Sequence, residues 1–461
     1  MRSLLLVAVV VVACGGSDAP HVELPAPPPV AVASEGMIAP EPQRAGDPKR
    51  GWEALVSEGY VGCGVPRTLW KQFGGTTPAS WRLDRTSGAD LPYFMNAAKS
   101  PAGIETVTAN CLGCHAAFLR GKLVVGLGEA SADFTNEISS ELAVAGLLLP
   151  EGERAEHAKL VARMRALAPH VKTRTVGANP ADHIAAVLFA HRDPKTLAWS
   201  EEPRIPLDPN TAPIPVDVPA WWLLKKKSAM FYTGAGRGDQ ARIMMTASVL
   251  CVDDVATARA VDAYFPDIRA YVLTLQPPAF PESIDRALAA RGKQTFETTC
   301  SKCHGTYGAA GTYRSRVIPL ATIGTDPRLA EHAGQFAAPF TSWFNSSFYG
   351  EIARLQPGAG YVPPPLDGVW ATAPYLHNGS VPNLAALLDS SKRRPRTHIE
   401  RGNTAYDLVD VGWHNEEPAA DTETKYIYDT SVAGYANTGH TFGDKLTPGE
   451  RAGVIEYLKT L

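Results

Sequence analysis

Two short motifs with the same spacing of cysteine and histidine are the first candidates for chemistry. Residues 111–115 read Cys-Leu-Gly-Cys-His and residues 300–304 read Cys-Ser-Lys-Cys-His, so both are C-x-x-C-H. Residues i, i+3 and i+4 share one helical face, so both thiols can bond to porphyrin vinyl groups while the imidazole binds the iron. A thioredoxin-like redox pair or half of a zinc site does not require the trailing histidine. We therefore predict two covalent haems c, attached through Cys111, Cys114, Cys300 and Cys303, with His115 and His304 as proximal iron ligands.

Two further cysteines, Cys63 and Cys251, lie outside both motifs. In an oxidising compartment such thiols either form a disulfide or stay buried as small apolar groups. Only the fold decides whether their Cα atoms come within disulfide range, so the sequence leaves both outcomes open.

The second motif lies between two segments that have the pattern of helices. After a Pro-rich break at residues 276–281, the spacing of apolar residues predicts a helix over 283–300 that leads into the motif. Residues 447–450 supply an N-cap threonine, a first-turn proline and a capping-box glutamate for a closing helix. Such a pair of helices is typical of a cytochrome c domain.

The rest of the chain predicts a mainly α fold made of two cytochrome c-like haem domains with long loop insertions. Helical patterns occur at residues 139–169 and 239–250, and no convincing run of alternating strands occurs in the first domain. Residues 306–446 are rich in Gly, Pro and aromatic residues, which favours loops around a haem pocket. We expect an N-terminal haem c domain at 51–280 and a C-terminal cytochrome c domain at 281–461.

Length and composition exclude several classes of protein. A chain of 461 residues is long enough for two or three folded units. Its 45% hydrophobic and 20% charged residues exclude a disordered chain. A net charge of -3 excludes a nucleic-acid binder held by bulk positive charge. The sequence contains no G-x-x-x-x-G-K nucleotide loop and no separate catalytic constellation of carboxylates, so kinase and hydrolase functions have no support.

The N-terminus has the pattern of an export signal. Arg2 precedes the ten apolar residues 4–13, which are too few for a membrane span of about 20 residues. The run ends at Cys14 and resembles a bacterial lipobox, which predicts a lipoprotein signal peptide at 1–13 and lipidation of Cys14. The Pro-rich residues 14–50 predict an extended tether. We expect the protein in the periplasm or cell envelope, anchored to a membrane by its lipid.

The motifs together resemble those of the dihaem cytochrome c peroxidase superfamily, and in particular its rubber oxygenase branch. The segments that carry the resemblance are Asn110–His115 with the later LVVGLG, residues 219–239 (PAWW to GRGD), the APYLHNGS stretch at 373–380, and residues 437–443. The resemblance covers about residues 51–461. It implies a haem-dependent oxidoreductase of the peroxidase or oxygenase type, and it allows a calcium ion between the domains, for which the sequence names no ligands.

The resemblance also implies roles for two further histidines near the second haem. His440 lies where this branch places a distal iron ligand, in a glycine-flanked turn that lets the backbone approach the porphyrin closely. A surface histidine is the alternative. His377 lies where many relatives keep a histidine that binds a haem propionate or orders the pocket, and it would be the next candidate ligand.

For the first haem the sequence offers no distal histidine in a matching segment, which we interpret as an open iron site. The candidates for its distal pocket are Phe231, Tyr232, Met244 and Met245. Core packing is the alternative for both methionines. The resemblance implies that Trp222 is an electron relay between the haems, and a purely structural role is the alternative. We interpret Lys225–Lys227 as a solvated basic patch.

Three functions fit these features. The first is a redox enzyme that activates peroxide or dioxygen at the first haem, with an organic substrate as one option, while the second haem transfers electrons from a periplasmic donor protein. The second is a pure electron-transfer cytochrome with both irons six-coordinate. The third is a structural or sensory haem protein without turnover.

Overall fold

The computed structural model describes residues 36–100, 102–334, 337–399, 406–414 and 416–461. The predicted signal peptide, Cys14 and the tether as far as residue 35 lie outside these ranges. Within them, no helix combines the length and the apolar character that a membrane span needs.

Helices make up most of the regular structure in the described residues. The α-helices are α1 (Pro48–Ser57), α2 (Arg67–Phe73), α3 (Leu112–His115), α4 (Ser139–Ala145), α5 (Glu151–Leu167), α6 (Ala181–Ala190), α7 (Gln240–Met244), α8 (Val255–Asp262), α9 (Phe265–Thr274), α10 (Arg286–Thr299), α11 (Ser301–His304), α12 (Leu320–Ile323), α13 (Arg328–Gly334), α14 (Ala338–Ser346), α15 (Leu384–Leu388), α16 (Ser390–Arg393) and α17 (Pro448–Leu458). The 3₁₀ turns include Trp221–Lys226 and Met245–Leu250. The helical patterns predicted at 139–169 and 239–250 are therefore confirmed.

Short antiparallel strands connect these helices. They are β1 (Val65–Pro66), β2 (Met95–Lys99), β3 (Glu105–Ala109), β4 (Ala116–Leu119), β5 (Lys122–Val125), β6 (Gly236–Gly238), β7 (Ile318–Pro319), β8 (Ala353–Leu355), β9 (Gly360–Tyr361), β10 (Thr397–Ile399), β11 (Tyr406–Asp407), β12 (Gly412–Trp413) and β13 (Ile427–Asp429). One sheet has the order β1-β3-β2, and the others are pairs: β4-β5, β6-β8, β7-β9, β10-β13 and β11-β12. The first domain contains β1 to β6 although its sequence has no convincing run of alternating residues, because strands of two to five residues are too short for alternation to be visible.

The helix that precedes the second motif packs against the last helix of the chain. Asp285 caps α10, and Thr447 and Glu450 form the predicted capping box of α17. The two helices cross at Gly292 and Gly453. A Cβ atom at Gly292 would lie 1.8 Å from the carbonyl oxygen of Gly453. This close crossing fixes the end of α10, from which the second motif continues.

Two large hydrophobic clusters form the interior. The first core contains residues of α1, α6, α9 and α14, such as Leu55 and Phe265. The second core contains residues of α10, α15 and α17, such as Phe296 and Leu384. The boundary predicted at residue 281 does not separate them. Residues of α14 belong to the first core and Trp222 belongs to the second, so the chain crosses between the cores in both directions.

Two long-range links join distant parts of the chain. Cys63 and Cys251 form a disulfide with a Cα–Cα distance of 5.6 Å, which answers the question that the sequence leaves open. Within the predicted tether, Arg44 forms ion pairs with Asp239 (2.9 Å) and Asp262 (2.6 Å). The described end of that segment therefore lies against the folded body.

Candidate haem-binding sites

The second C-x-x-C-H motif forms a helical turn directly after α10. Cys300 is the C-cap of α10, and the backbone N–H of His304 donates to the Cys300 carbonyl at 3.1 Å. Both thiols of the motif are free, as are those of the first motif, whereas Cys63 and Cys251 are paired. The motif thiols are therefore available for thioether bonds.

The ring of His304 is oriented by a backbone carbonyl. Its Nδ1 donates to the Pro364 oxygen at 2.9 Å, because a carbonyl can only accept. Burial lowers the pKa of His304, so the imidazole is neutral. This leaves Nε2 as an unprotonated nitrogen, the form that binds a metal.

His440 faces His304 across an interval of the right size for a metal. The ring centroids are 6.1 Å apart and the rings are inclined at 64°. Two metal–nitrogen bonds of about 2 Å, with each ring centre about 1 Å behind its nitrogen, place two axial imidazoles about 6 Å apart. Burial, with a smaller contribution from the nearby Arg394 charge, lowers the pKa of His440 to about 3. The pair therefore fits a haem iron between the two rings.

A tight loop presents His440 to this site. Gly439 has φ +68° and His440 has φ +46°. A Cβ atom on Gly439 would lie 2.1 Å from the backbone carbon of Gly324, so only glycine fits there. The Arg394 guanidinium donates to the carbonyls of Gly439 and His440 at 2.5 and 3.1 Å, and it thereby holds the loop.

The two histidines line a cavity, which also carries the motif cysteines. Its volume, taken as the space open to the centre of a water molecule, is about 180 Å³. Most of its wall is apolar, including Phe296, Leu384 and Val454 from the second core. A porphyrin is a large and mostly apolar disc, so the apolar lining, the free thiols and the facing imidazoles all fit a haem c.

His377 and Tyr232 lie in the wall of the same cavity. The His377 ring stacks on Tyr361 with centroids 4.1 Å apart, and burial lowers its pKa to about 3. The Tyr232 hydroxyl donates to Asp217 at 2.8 Å. The sequence places Tyr232 beside the first haem, whereas the structure places it in the cavity of the second motif. Asp217, which begins the same segment of the chain, lines this cavity too.

The first C-x-x-C-H motif forms a similar turn in α3. The backbone N–H of His115 donates to the Cys111 carbonyl at 3.0 Å, and the Cys111 N–H donates to the Tyr60 hydroxyl at 3.0 Å. The Asn179 amide lies 3.8 Å from Cys114 Sγ. The turn is therefore fixed at both cysteines, and its thiols are free.

The surroundings of His115 differ from those of His304. The His115 ring stacks on Trp221 with centroids 4.6 Å apart and an angle of 19°. Burial lowers its pKa to about 4, and the Pro219 backbone opposes part of that shift. Its Nδ1 makes no hydrogen bond of normal geometry with the described residues. Among those residues, the aromatic ring in contact with His115 is that of Trp221. No second imidazole of the described residues faces the His115 ring.

Adjacent tryptophans connect the two motifs. Trp221 packs in the first core on His115, and Trp222 is fully buried in the second core. The Trp222 indole N–H donates to the Asp367 carbonyl at 2.8 Å. Asp367 follows the loop whose Pro364 orients His304. One dipeptide therefore contacts the surroundings of both motif histidines.

The remaining candidates for the first haem's pocket are not among the residues that line the cavity of the second motif. Met245 is fully buried in the first core and Met244 packs against it, as the core-packing alternative predicts. Phe231 has φ +66° and is 41% exposed. In the described part of the chain, no group of three or more His, Cys, Asp or Glu residues could hold a metal ion, so no side-chain cluster there supports calcium.

Sequence reasoning missed several residues of the second site. Pro364, which orients His304, and Arg394, which holds the His440 loop, carry no local signal of these contacts. Tyr361 stacks on His377 from a two-residue strand. The one available signal is general: a metal-binding histidine donates its other ring N–H to an acceptor such as a backbone carbonyl. This rule does not identify which carbonyl accepts from His304.

Comparison with known proteins adds a partial family match. Residues 360–398 match the family described as RoxA-like, cytochrome c-like. This segment contains Pro364, His377 and Arg394 from the second site. The match supports the similarity to the rubber oxygenase branch, while the wider peroxidase superfamily stays a prediction.

Two proteins of Sinorhizobium fredii (strain NBRC 101917 / NGR234) are also similar. The uncharacterized protein y4iJ is 31% identical over 252 residues, which covers 41% of this chain and 41% of y4iJ. The uncharacterized protein y4iM is 31% identical over 259 residues, which covers 49% of this chain and 56% of y4iM. The chain thus spans about half the length of these relatives.

Proposed function

We propose that this chain is an exported dihaem c-type cytochrome that works as an oxidoreductase. His115 would hold a haem whose iron would supply the site for peroxide or dioxygen, and His304 and His440 would hold a haem that would supply electron transfer. When bound, the two haems would supply an iron that can take an exogenous ligand and an iron that carries electrons. The side chains around each haem decide which iron would take an exogenous ligand and which would carry electrons.

The difference between the two motif histidines carries this proposal. His304 faces His440 at 6.1 Å, so a haem there would have both axial positions filled by protein. His115 is stacked on Trp221, and no second imidazole faces it in the described residues. A saturated iron suits electron transfer, whereas an iron with a vacant position suits ligand chemistry.

The tryptophan pair supports transfer between the sites. Trp221 touches His115, and Trp222 donates to the loop that contains Pro364. An indole is an aromatic group that can carry an electron across a distance too long for direct haem contact. Burial of both rings excludes water, which keeps their environment fixed during transfer. We assign Trp222 as the relay.

The RoxA-like match favours dioxygen and an organic substrate over peroxide. Rubber oxygenase-like proteins are the branch that this chain resembles, and the match at 360–398 lies in the second site. The identity of the organic substrate is not part of the proposal. A periplasmic protein donates the electrons, and lipidation at Cys14 would hold the enzyme at a bacterial membrane.

The alternative is a pure electron-transfer cytochrome with both irons six-coordinate. It requires a protein ligand on the open side of the first haem. Met244 and Met245 are the sulfur candidates, but Met245 is fully buried in the first core and Met244 packs against it. This packing favours the enzyme over the carrier.

Haem counting combined with electron paramagnetic resonance tests the proposal. A pyridine haemochrome assay should give two haems per chain, and the oxidised protein should give one low-spin signal and one high-spin or water-ligated signal. The double variants C111S/C114S and C300S/C303S should each retain one haem, with the low-spin signal lost only in the second. A count of one or zero in the parent protein, or two saturated low-spin haems, would refute the enzyme.

A further inference from the structure

We propose that Lys227 and Thr325, together with His377, for which the resemblance already implies contact with a propionate, form a carboxylate-binding site for the propionates of the second haem. The inference rests on the proposed haem at Cys300 and Cys303. It assigns these three side chains as positioning residues, which hold the edge of the porphyrin opposite the thioether bonds.

The three consecutive lysines have different surroundings, although the sequence predicts one solvated patch. Lys225 Nζ donates to the Gln276 side chain at 2.9 Å on the surface. Lys226 forms an ion pair with Asp367 at 2.7 Å. Lys227 instead lines the cavity and makes no side-chain hydrogen bond or ion pair with the described residues. Burial of the amine lowers the pKa of Lys227 to about 8, while the residue as a whole is half-buried.

Thr325 and His377 contribute two further polar atoms without partners. Thr325 Oγ1 and His377 Nε2 are buried and make no hydrogen bond with the described residues. Both residues line the cavity. Buried polar atoms in native proteins are hydrogen-bonded in the large majority of cases. A hydroxyl and a neutral imidazole can each donate, and an ammonium can only donate, so one acceptor group inside the cavity would satisfy all three.

Contacts between their neighbours place the three donors in one region. His377 stacks on Tyr361, and the Tyr361 hydroxyl donates to the carbonyl of Asp326, the residue after Thr325, at 2.7 Å. The next residue, Val362, packs with Ala229, two residues after Lys227. The strand that contains Tyr361 therefore has His377, Thr325 and Lys227 around it.

The cysteines adjoin an apolar part of the cavity wall. Cys300 packs against the second core, whose Phe296, Leu384 and Val454 line the same cavity. In haem c the vinyl carbons that bond to cysteine and the two propionates occupy opposite edges of the macrocycle. With thioether bonds at Cys300 and Cys303, the propionates would need partners elsewhere in the cavity lining, where Lys227, Thr325 and His377 are found.

The charges at this end match an anionic group. Asp217 also lines the cavity, but it accepts a hydrogen bond from Tyr232, and burial raises its pKa to about 8. It is therefore protonated and neutral at pH 7. Asp367 is already paired with Lys226. Lys227 is left as a half-buried cation with no anion beside it among the described residues, and a propionate would supply one.

Spectroelectrochemistry and resonance Raman spectroscopy of the full haem-loaded protein test this site. Lys227→Gln should lower the midpoint potential of the low-spin haem by removing a positive charge beside it, and it should shift the propionate bending modes. Lys227→Arg should restore the potential because it keeps the charge. Thr325→Val should shift the same modes with little change in potential. Lys225→Gln is the matched control and should leave both readouts at the parent values.

The outcomes separate this inference from the proposed function. If all variants bind two haems and Lys227→Gln and Thr325→Val leave potentials and propionate modes unchanged, the site is refuted and the proposed function stands. If the parent chain binds no haem at Cys300 and Cys303, both fail. Should Lys227→Gln fail to accumulate, Thr325→Val and Lys227→Arg decide the matter. Shifted propionate modes in Thr325→Val, with the parent midpoint potential in Lys227→Arg, support the site. Parent propionate modes in both variants refute it.

Discussion

The imidazole rings of His304 and His440 face each other with centroids 6.1 Å apart, at the wall of one apolar cavity. The residues are 136 positions apart in the sequence, and different elements hold them. Pro364 orients His304, and Arg394 together with the Gly439 turn presents His440. Since the two supports are independent, each can be perturbed without the other.

His440→Ala should convert the second haem from low spin to high spin or water ligation. Removal of one strong-field imidazole weakens the ligand field at one iron, and the first haem should keep its signal. Electron paramagnetic resonance of the oxidised protein measures both. His414→Ala is the control, because His414 is 48% exposed. An unchanged low-spin signal in His440→Ala would transfer the assignment to His377 or a methionine.

Gly439→Ala should weaken the same ligation without touching the imidazole. The added Cβ would lie 2.1 Å from Gly324, and φ is +68°, so the loop must shift. We expect a loss of stability of about 2 kcal/mol or more and a partly high-spin second haem. Gly75→Ala isolates the backbone effect, because Gly75 has φ +70° with no atom within 4 Å of its added Cβ. Equal effects of the two substitutions would contradict the role of the Gly439–Gly324 contact.

Trp222→Phe should slow electron exchange between the haems while leaving haem content and carbon monoxide binding intact. The change keeps an aromatic volume but removes the indole N–H that donates to Asp367. Loss of that hydrogen bond should cost about 1 kcal/mol in the free energy of unfolding. Flash photolysis of the carbon monoxide adduct measures the exchange rate. Trp81→Phe, at a tryptophan that is 38% exposed, controls for loss of an indole. Parent exchange rates in Trp222→Phe would rule out the relay.

The sequence predicts the local parts of the second site well. The C-x-x-C-H turn, the helix before it and the capped closing helix depend on residues within a few positions of one another, and the structure confirms these two helices. Their mutual packing also follows a simple rule, since Gly292 and Gly453 let the helices touch.

The sequence does not predict the contacts between distant segments. Nothing local to Cys63 or Cys251 shows that they pair, and nothing local to Lys227 distinguishes it from Lys225. Tyr232 lies in the second motif's cavity together with Asp217 and Leu223 of the same segment. These relationships depend on long-range packing, which periodicity and capping patterns do not encode.

The central claim is that one haem iron is open and the other is saturated, and carbon monoxide titration of the reduced full-length protein tests it most directly. The iron held by His115 should bind carbon monoxide at about one equivalent per chain of two haems, and the iron between His304 and His440 should not. His440→Ala should raise the uptake to about two equivalents. Uptake of zero by the parent protein would show that both irons are saturated, and uptake of two would show that His440 is not a ligand; either result contradicts the account.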